Sequence, residues 1–443
     1  MNGPEEGEAV DSPPRSAASA AAFAARPPLI DVARGTNQSG VRLYNERLVL
    51  SLIRQGGSLP KAEIARQTGL SAQTITIIMR QLEADGLVVK QGRQRGKVGQ
   101  PSVPFALNPG GAYAVGLKIG RRSNDLALID LVGGVRHSLH EAGSYPTPAS
   151  VSEFVTRGIA ELTGGLSRTE AKRICGIGIA APFELWNWEE QIGAPHEVLE
   201  QWRTFDLKEV ITGICPWPVL FCNDATAACA AELVLGKGGR VHDFVYFFIG
   251  SFIGGGLVLN GSLHLGGAGN AGAVGSMPIA APNAEGGSTT QQLIRSASIY
   301  RLEHMLIDAG RDASILWRSP EDWRDLGSPL DAWIEQVAAG IAVAAIAAVA
   351  VVDVPVVIID GAFPASVRQR IVVRVDTLRR GLDQRGLSPI TVVEGSIGSG
   401  ARAIGAGCLP LLANFARDRG VLFKETGSRP ERSADMPSQS QDR

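Results

Sequence analysis

The chain has 443 residues, 44% hydrophobic and 20% charged, with a formal net charge of −1. That length supports two or three domains with sizeable cores. Its five cysteines form no CxxC pair and its six histidines do not cluster, which argues against a disulfide framework or a zinc site, and the cysteines read as reduced core residues of a cytosolic protein.

Residues 1–38 are rich in Ala, Pro, Ser and Glu without hydrophobic periodicity, so a disordered leader is expected there. Acidic residues ahead of the alanine run argue against a signal peptide. Residues 39–108 read as a DNA-binding head. Val41 to Gly56 places Tyr44, Leu48, Val49, Leu52 and Ile53 on one helical stripe, a support helix. Within Lys61 to Gly86, Ala65 supplies the small residue where two helices cross, and Gly69 suits the tight turn between them. Ser71 is the expected N-cap of the second helix, whose buried face carries Ile75, Ile78 and Leu82. Ser71 at its start and Gln73, Thr74, Thr76, Ile77 and Arg80 along its outer face are the candidate groove-reading residues.

Leu87 to Lys90 and Val103 to Leu107 are short apolar runs flanking a basic segment, which predicts a β-ribbon wing. Arg93, Arg95 and Lys97 at its tip are the expected phosphate contacts. Residues 41–107 hold ten basic and four acidic side chains, so positive charge gathers where duplex DNA would dock.

Asn108-Pro109-Gly110-Gly111 marks a boundary. Beyond it the strand Ala112 to Ile119 ends at Gly120, and a strand Leu126 to Asp130 and a glycine turn at Gly133 follow. The same order returns later: strand Phe244 to Ile249, Gly250, a loop holding Gly254, Gly255 and Gly256, strand Leu257 to Leu259, and an Asn260-Gly261 turn. Two related α/β lobes are therefore expected, 109–235 and 236–423, sharing a cleft, with 424–443 a disordered tail. Between the repeats lie a helix Ser150 to Leu166, strands Ile174 to Ala180 and Val219 to Cys222, and a helix Ala225 to Leu235. The apolar run Val337 to Val352 is shorter than the roughly 20 residues of a membrane span and reads as a buried helix leading into strand Val356 to Asp360.

YNERLVLSLIR (44–54), KAEIARQTGLS (61–71), NDATAACAAE (223–232), IGSFIGGGLVLNG (249–261), GGAGNAGAVGSMP (266–278) and EGSIGSGARAIGAG (394–407) occur in an order that resembles the repressor branch of the ROK family, the repressors, open reading frames and kinases. The resemblance covers about residues 40–415. It implies an α/β chain with an N-terminal winged helix-turn-helix followed by a two-lobed domain of the actin and hexokinase type, ribonuclease H-like in each lobe.

In the family's kinases the aspartate at the position of Asp224 is the base that activates the sugar hydroxyl. The resemblance also implies departures. Lys118, Arg121 and Arg122 stand where kinases have an acid and small residues near magnesium and phosphate, and Phe252 adds bulk to the second loop. The zinc-binding histidine motif reads Ala273-Val274-Gly275-Ser276, so no metal and no cofactor are expected. Asn223, Asp224 and, by rough alignment, Gln292 are the candidate ligand-binding residues. Trp186, Trp188, Trp202 and Trp217 could stack on a sugar or pack within a loop-rich segment.

The expected function is a sequence-specific, cytoplasmic transcription repressor of carbohydrate-metabolism genes. It would bind double-stranded operator DNA as a homodimer or homotetramer, away from any membrane, and sense a sugar or sugar phosphate. The alternative is an ATP-dependent sugar kinase with an accessory DNA-binding head.

Overall fold

The computed structural model describes residues 38–92, 103–182, 194–282 and 287–417. The leader, the terminal tail, Arg93, Arg95 and Lys97 of the wing, and Trp186 and Trp188 lie outside the described residues. The head begins with α1 (Gln38–Gly56), continues through β1 (Ser58–Pro60), α2 (Lys61–Thr68) and α3 (Ala72–Ala84), and ends in β2 (Val88–Lys90) and β3 (Pro104–Leu107). Gly69 terminates α2 at a φ of 70°, in the left-handed region, and its amide donates to the Ala65 carbonyl. Ser71 then caps α3 by accepting from the Thr74 amide.

Ile64, Ile75, Ile78, Met79 and Leu82 close a small core against Val49, Leu50, Ile53 and Phe105. The support stripe is narrower than expected: Tyr44, Leu48 and Leu52 are half-buried, and Leu50 takes a core place instead. β1 was not legible, since three residues ending in proline carry no strand period. It pairs with β3, giving the order β1-β3-β2.

The remaining chain folds twice along one plan. β4 (Tyr113–Ile119), β5 (Ser123–Asp130), β6 (Val135–Ala142), β7 (Ile174–Ala181) and β8 (Val219–Asn223) form a sheet of order β6-β5-β4-β7-β8. Its first three strands are antiparallel, and β4-β7 and β7-β8 are parallel. After a further lobe begins with β9 (Phe244–Ile249), β10 (Ile253–Leu259) and β11 (Ser262–His264), a two-stranded ribbon β12 (Pro278–Pro282) and β13 (Ser288–Gln292) projects, and β14 (Val356–Gly361) and β15 (Thr391–Glu394) complete a second sheet. Its order, β11-β10-β9-β14-β15, and its strand directions repeat those of the first. The expected pair of related lobes is present.

The glycines of the second lobe act differently from expectation. Gly254, Gly255 and Gly256 do not form a loop: they lie within β10, opposite Phe248, Phe247 and Tyr246 of β9. A Cβ on Gly256 would sit 2.5 Å from the Cys229 Cβ, and one on Gly254 would sit 2.6 Å from the Ala225 Cβ. Bare backbone here lets the helix α7 (Asp224–Leu235) press onto the strand.

The outer faces are covered by α4 (Pro148–Gly164), α5 (His196–Thr204) and α6 (Leu207–Ile214) on the first sheet, and by α8 (Ile299–Asp308), α9 (Gly327–Val352) and α10 (Ala365–Arg380) on the second. α9 has 26 residues, ten more than the apolar run suggested, so its length no longer argues against a membrane span. What assigns it to the core is burial: Leu330, Trp333, Ile334, Val337, Ile341 and Val349 pack among the strands and helices of the second lobe. Trp202 is likewise core, set edge-on to Phe205 and donating to the Pro146 carbonyl, and Trp217 packs beside it. Neither stacks in the cleft.

The last helix, α11 (Ala401–Phe415), follows the second lobe in sequence but packs across β4, β7 and α7. The first lobe is therefore completed from the C-terminal end of the described chain. Gly405→Ala would put a Cβ 1.7 Å from the Ala227 carbonyl oxygen, a backbone atom. It is expected to destabilise by about 3 kcal/mol, read as a lowered urea midpoint. Gly213→Ala in α6, where a Cβ meets nothing within 4 Å, should leave the midpoint unchanged or slightly raised.

Candidate DNA-binding face and interlobe cleft

On α3, Ser71, Gln73, Thr76, Ile77 and Arg80 are exposed and Thr74 is half-buried. They do not contribute equally. The Ser71 and Thr74 hydroxyls lie 2.9 Å apart and are engaged in the cap, and the Thr76 hydroxyl donates to the Ala72 carbonyl at 2.8 Å. Gln73, Ile77 and Arg80 remain as the side chains free to reach outward. Arg80 has no ion pair among the described residues, whereas Arg42, Arg66 and Lys90 are paired with Glu46, Glu63 and Glu83. Ile77, 57% exposed, borders a shallow apolar hollow with Val41 and Ile78.

Several contacts fasten the head to the lobes, these among them. Arg54 of α1 donates to the Leu131 carbonyl at 3.0 Å, and its guanidinium is buried beside Asp130 and Cys408, burial lowering its pKa. Arg173 of the first lobe donates to the Gly110 carbonyl at 2.6 Å just past the head and lies against Gly86 of the head, where a Cβ would come within 2.9 Å of its Nη2. At the far end of α11, Phe415 packs into the head core and the Arg417 amide donates to Ser51 Oγ at 3.2 Å.

The cleft between the lobes opens at the two repeated turns. The first turn, between β4 and β5, is closed by the Gly120 amide donating to the Ser123 carbonyl, and the second by Gly250 to Phe252. A cavity of about 140 Å³ lies between them, lined by Asn223, Asp224, Phe252, Asn270, Ser276 and Arg402 among others. Asn223 caps α7, its Oδ1 accepting from the Ala225 amide at 2.9 Å. Asp224, the first residue of α7, pairs with Arg402 Nη1 at 3.2 Å. The structure thus brings Asn223 and Asp224 together but not Gln292. That residue is exposed on β13 opposite Pro278 and borders a separate cavity of about 910 Å³ with Tyr300, Arg301 and His304.

The residues expected to block the nucleotide loops form a network. Lys118 is buried, with its Nζ 2.8 Å from Asp125 Oδ2 and 2.6 Å from Ser123 Oγ. Burial and the charge of Arg402 push its ammonium down to about 8, against the opposing pull of Asp125. On the far side of Asp125, His140 Nδ1 approaches Oδ1 at 2.5 Å. Burial alone would raise the Asp125 carboxyl, but Lys118 and His140 more than offset it and hold it below the ordinary range.

Arg121 and Arg122 cross the cleft instead of filling it. Their Nη1 and Nη2 lie 2.5 and 2.9 Å from the two oxygens of Glu303, on α8 of the other lobe. Each guanidinium also lies over an aromatic ring, Arg121 over Tyr300 at 5.4 Å and Arg122 over Trp317 at 4.8 Å. Glu303 and Arg402 escaped the sequence reading because their partners stand about 180 positions away, where no periodicity connects them.

Residues 114–292 match the ROK family, and residues 42–89 match winged helix-turn-helix DNA-binding domains. The uncharacterized protein y4fQ of Sinorhizobium fredii is 25% identical over 373 residues, 84% of this chain and 91% of its own length. The xylose repressor of Bacillus spizizenii is 26% identical over 243 residues, 55% of this chain and 62% of its own length. A solved ROK family transcriptional regulator, a homologue of the E. coli MLC protein, has a TM-score of 0.59 at 21% identity, covering 86% of this chain and 99% of its own. Fold and head together define a DNA-binding transcription regulator built on a sugar-kinase-like scaffold. Within that class, residues 114–292 carry a ROK family domain behind the winged helix-turn-helix head.

The Glu303 bridge has a pH signature. Burial would raise the Glu303 carboxyl, yet the hydrogen bonds and charges of Arg121 and Arg122 hold it below the ordinary carboxylate value. A depressed folded pKa stabilises above the unfolded value of about 4.3 and is lost as pH falls through the folded one. Glu303→Gln should therefore lower stability at pH 7, by about 3 kcal/mol, the low end for breaking a buried ion pair. In thermal melts the gap between wild type and variant should close below about pH 4.

Proposed function

We propose that the protein is a sugar-responsive transcription repressor, cytoplasmic and acting as a homodimer or dimer of dimers on a pseudo-palindromic operator. The observation that carries this reading is the physical continuity between the two candidate sites. One helix, α11, touches Asp224 through Arg402 at its start and the support helix α1 through Phe415 and Arg417 at its end. It has 15 residues, about 22 Å at the α-helical rise.

A ligand that hydrogen-bonds Asn223 and Asp224 competes with Arg402 for the Asp224 carboxylate. Freed of that pair, α11 shifts against the lobes, and Arg54 and Phe415 pass the shift to the head. Two heads must meet half-sites about 34–36 Å apart or a multiple of that spacing, so a small rotation is enough to prevent simultaneous docking. The effector acts only through its different affinity for the two arrangements. The exposed apolar residues Val343 and Val351 of α9 support self-association through that face.

The kinase alternative is less supported. A nucleotide-bound magnesium ion needs oxygen ligands, but the magnesium side of the cleft carries the cations Lys118, Arg121 and Arg122, whose carboxylate partners Asp125 and Glu303 are already engaged. A coupled ADP-release assay over a sugar panel tests it, and turnover abolished by Asp224→Asn would overturn the repressor reading.

Gel-shift titration against the region upstream of its own gene should show salt-dependent binding that exceeds binding to random DNA; equal binding to both would refute DNA recognition. Gln73→Ala should weaken discrimination between operator and single-base variants by about 1–3 kcal/mol. Arg80→Ala should instead lower affinity for all sequences and reduce the salt slope by about 1. Arg54→Met should leave basal operator binding in place and abolish its response to sugars, measured as operator release in a fluorescence anisotropy titration.

A further inference from the structure

We propose that the second half of the cleft is a receptor for the phosphoryl group of a phosphorylated sugar, and that this anion takes Arg121 and Arg122 away from Glu303. The inference rests on the reading that the Asn223 and Asp224 cavity holds the sugar ring, and it names the charged part of the ligand.

A separate cavity of about 270 Å³ lies on the far side of Arg402. Its charged lining is Lys118, Arg121, Arg122 and Arg402 against Asp125 and Glu303, with His140 beside Asp125; Asp224 pairs with Arg402 from the adjoining cavity, which leaves an excess of one positive charge in a chain whose total is −1. A phosphate monoester, about −1.5 to −2 near neutral pH, supplies negative charge that this lining lacks.

The existing pairing is incomplete in a way that points to a missing anion. One carboxylate, Glu303, serves two guanidinium groups, so among the described residues one of the two positive charges has no counter-charge of its own. The contacts are made through terminal nitrogens, and the Nε atoms of Arg121, Arg122 and Arg402 are buried without a hydrogen-bond partner among the described residues. An oxyanion accepts from both Nε and Nη of such a fork.

Position supplies the rest. The small cavity with Asn223 and Asp224 and this cationic cavity share Arg121, Ser251 and Arg402 as common wall. A ligand with hydroxyls at one end and a phosphoryl group at the other spans both. Because Arg121 and Arg122 belong to the first lobe and Glu303 to the second, an anion on the arginines breaks the bridge between lobes. Binding thereby becomes a change in lobe separation. A neutral sugar fills only the first cavity and leaves the bridge intact.

The test uses the full chain in calorimetric titrations with inorganic phosphate, a panel of hexose and pentose monophosphates, and the matched neutral sugars. Inorganic phosphate should bind, and at least one sugar monophosphate should bind ten or more times more tightly than both phosphate and its neutral sugar. The double variant Arg121→Ala/Arg122→Ala should lose at least tenfold for every phosphorylated probe. Arg122→Ala alone, at a partly exposed position, gives the same direction should the double variant not fold. Glu303→Gln removes the competitor and should tighten phosphate binding several-fold, an effect that a merely structural bridge would not produce. Phosphate affinity unchanged in the arginine variants, or weakened by Glu303→Gln, overturns the proposal. If neutral sugars bind as tightly as their phosphates and the arginine variants leave both unchanged, the anion receptor fails while the sugar site stands. If phosphate depends on the arginines but Asp224→Asn changes no sugar monophosphate, the anion receptor stands and the sugar reading fails.

Discussion

The architecture depends on one backbone-to-backbone contact, the seating of α11 against the first sheet. Gly116 on β4 and Gly178 on β7 face the Ala403 and Ala406 carbonyls so closely that a Cβ would come within 2.0 and 1.8 Å of them. Pro410 contributes to the same fit. Lacking an amide hydrogen, it leaves the Ala406 carbonyl without its intrahelical donor, and that is the oxygen turned toward Gly178. Across the helix, Gly405 meets the Ala227 carbonyl of α7. Side chains are absent where the elements cross, so the helix cannot tilt without moving its neighbours. Close-packed interfaces of this kind respond by shifting between arrangements and deform little within one.

That rigidity gives the cleft electrostatics their reach. The cleft holds Lys118 locked to Asp125 and two arginines sharing one glutamate across the lobes. Buried charges with good partners hold a geometry firmly and are expensive to leave alone. The cleft is thus spring-loaded by charge, and α11 lies directly beside it through Arg402, which touches Asp224 and stacks over Phe248.

The duplicated lobe plan explains why the cleft lies where it does. Each sheet begins with an antiparallel hairpin whose turn carries Gly120 or Gly250, and the two turns face one another. Repetition brings equivalent turns together and leaves their side chains free to diverge. In the first lobe the turn became cationic with Arg121 and Arg122; in the second it became bulky with Phe252. Among the described residues, the β12-β13 ribbon and the large cavity beside it have no counterpart in the first lobe.

Local order was readable from residue pattern alone. Gly69, Ser71 and the Ile75, Ile78, Leu82 spacing act over three or four positions, so the head was recoverable before any coordinates, as were most strands of both sheets and the Asn260-Gly261 turn. Asn223 and Asp224 were legible because they sit together at a strand-to-helix junction. Folding decided the rest. Gly254 to Gly256 look like a loop in one dimension, and only the approach of α7 makes them strand residues. Gln292 is carried away from Asp224 by a ribbon whose pairing no short-range rule specifies. The ion pairs that define the cleft, Arg121 and Arg122 with Glu303 and Asp224 with Arg402, join residues separated by most of a domain. Charge complementarity at such separations has no period along the chain, and it exists only once two lobes and a returning helix have met.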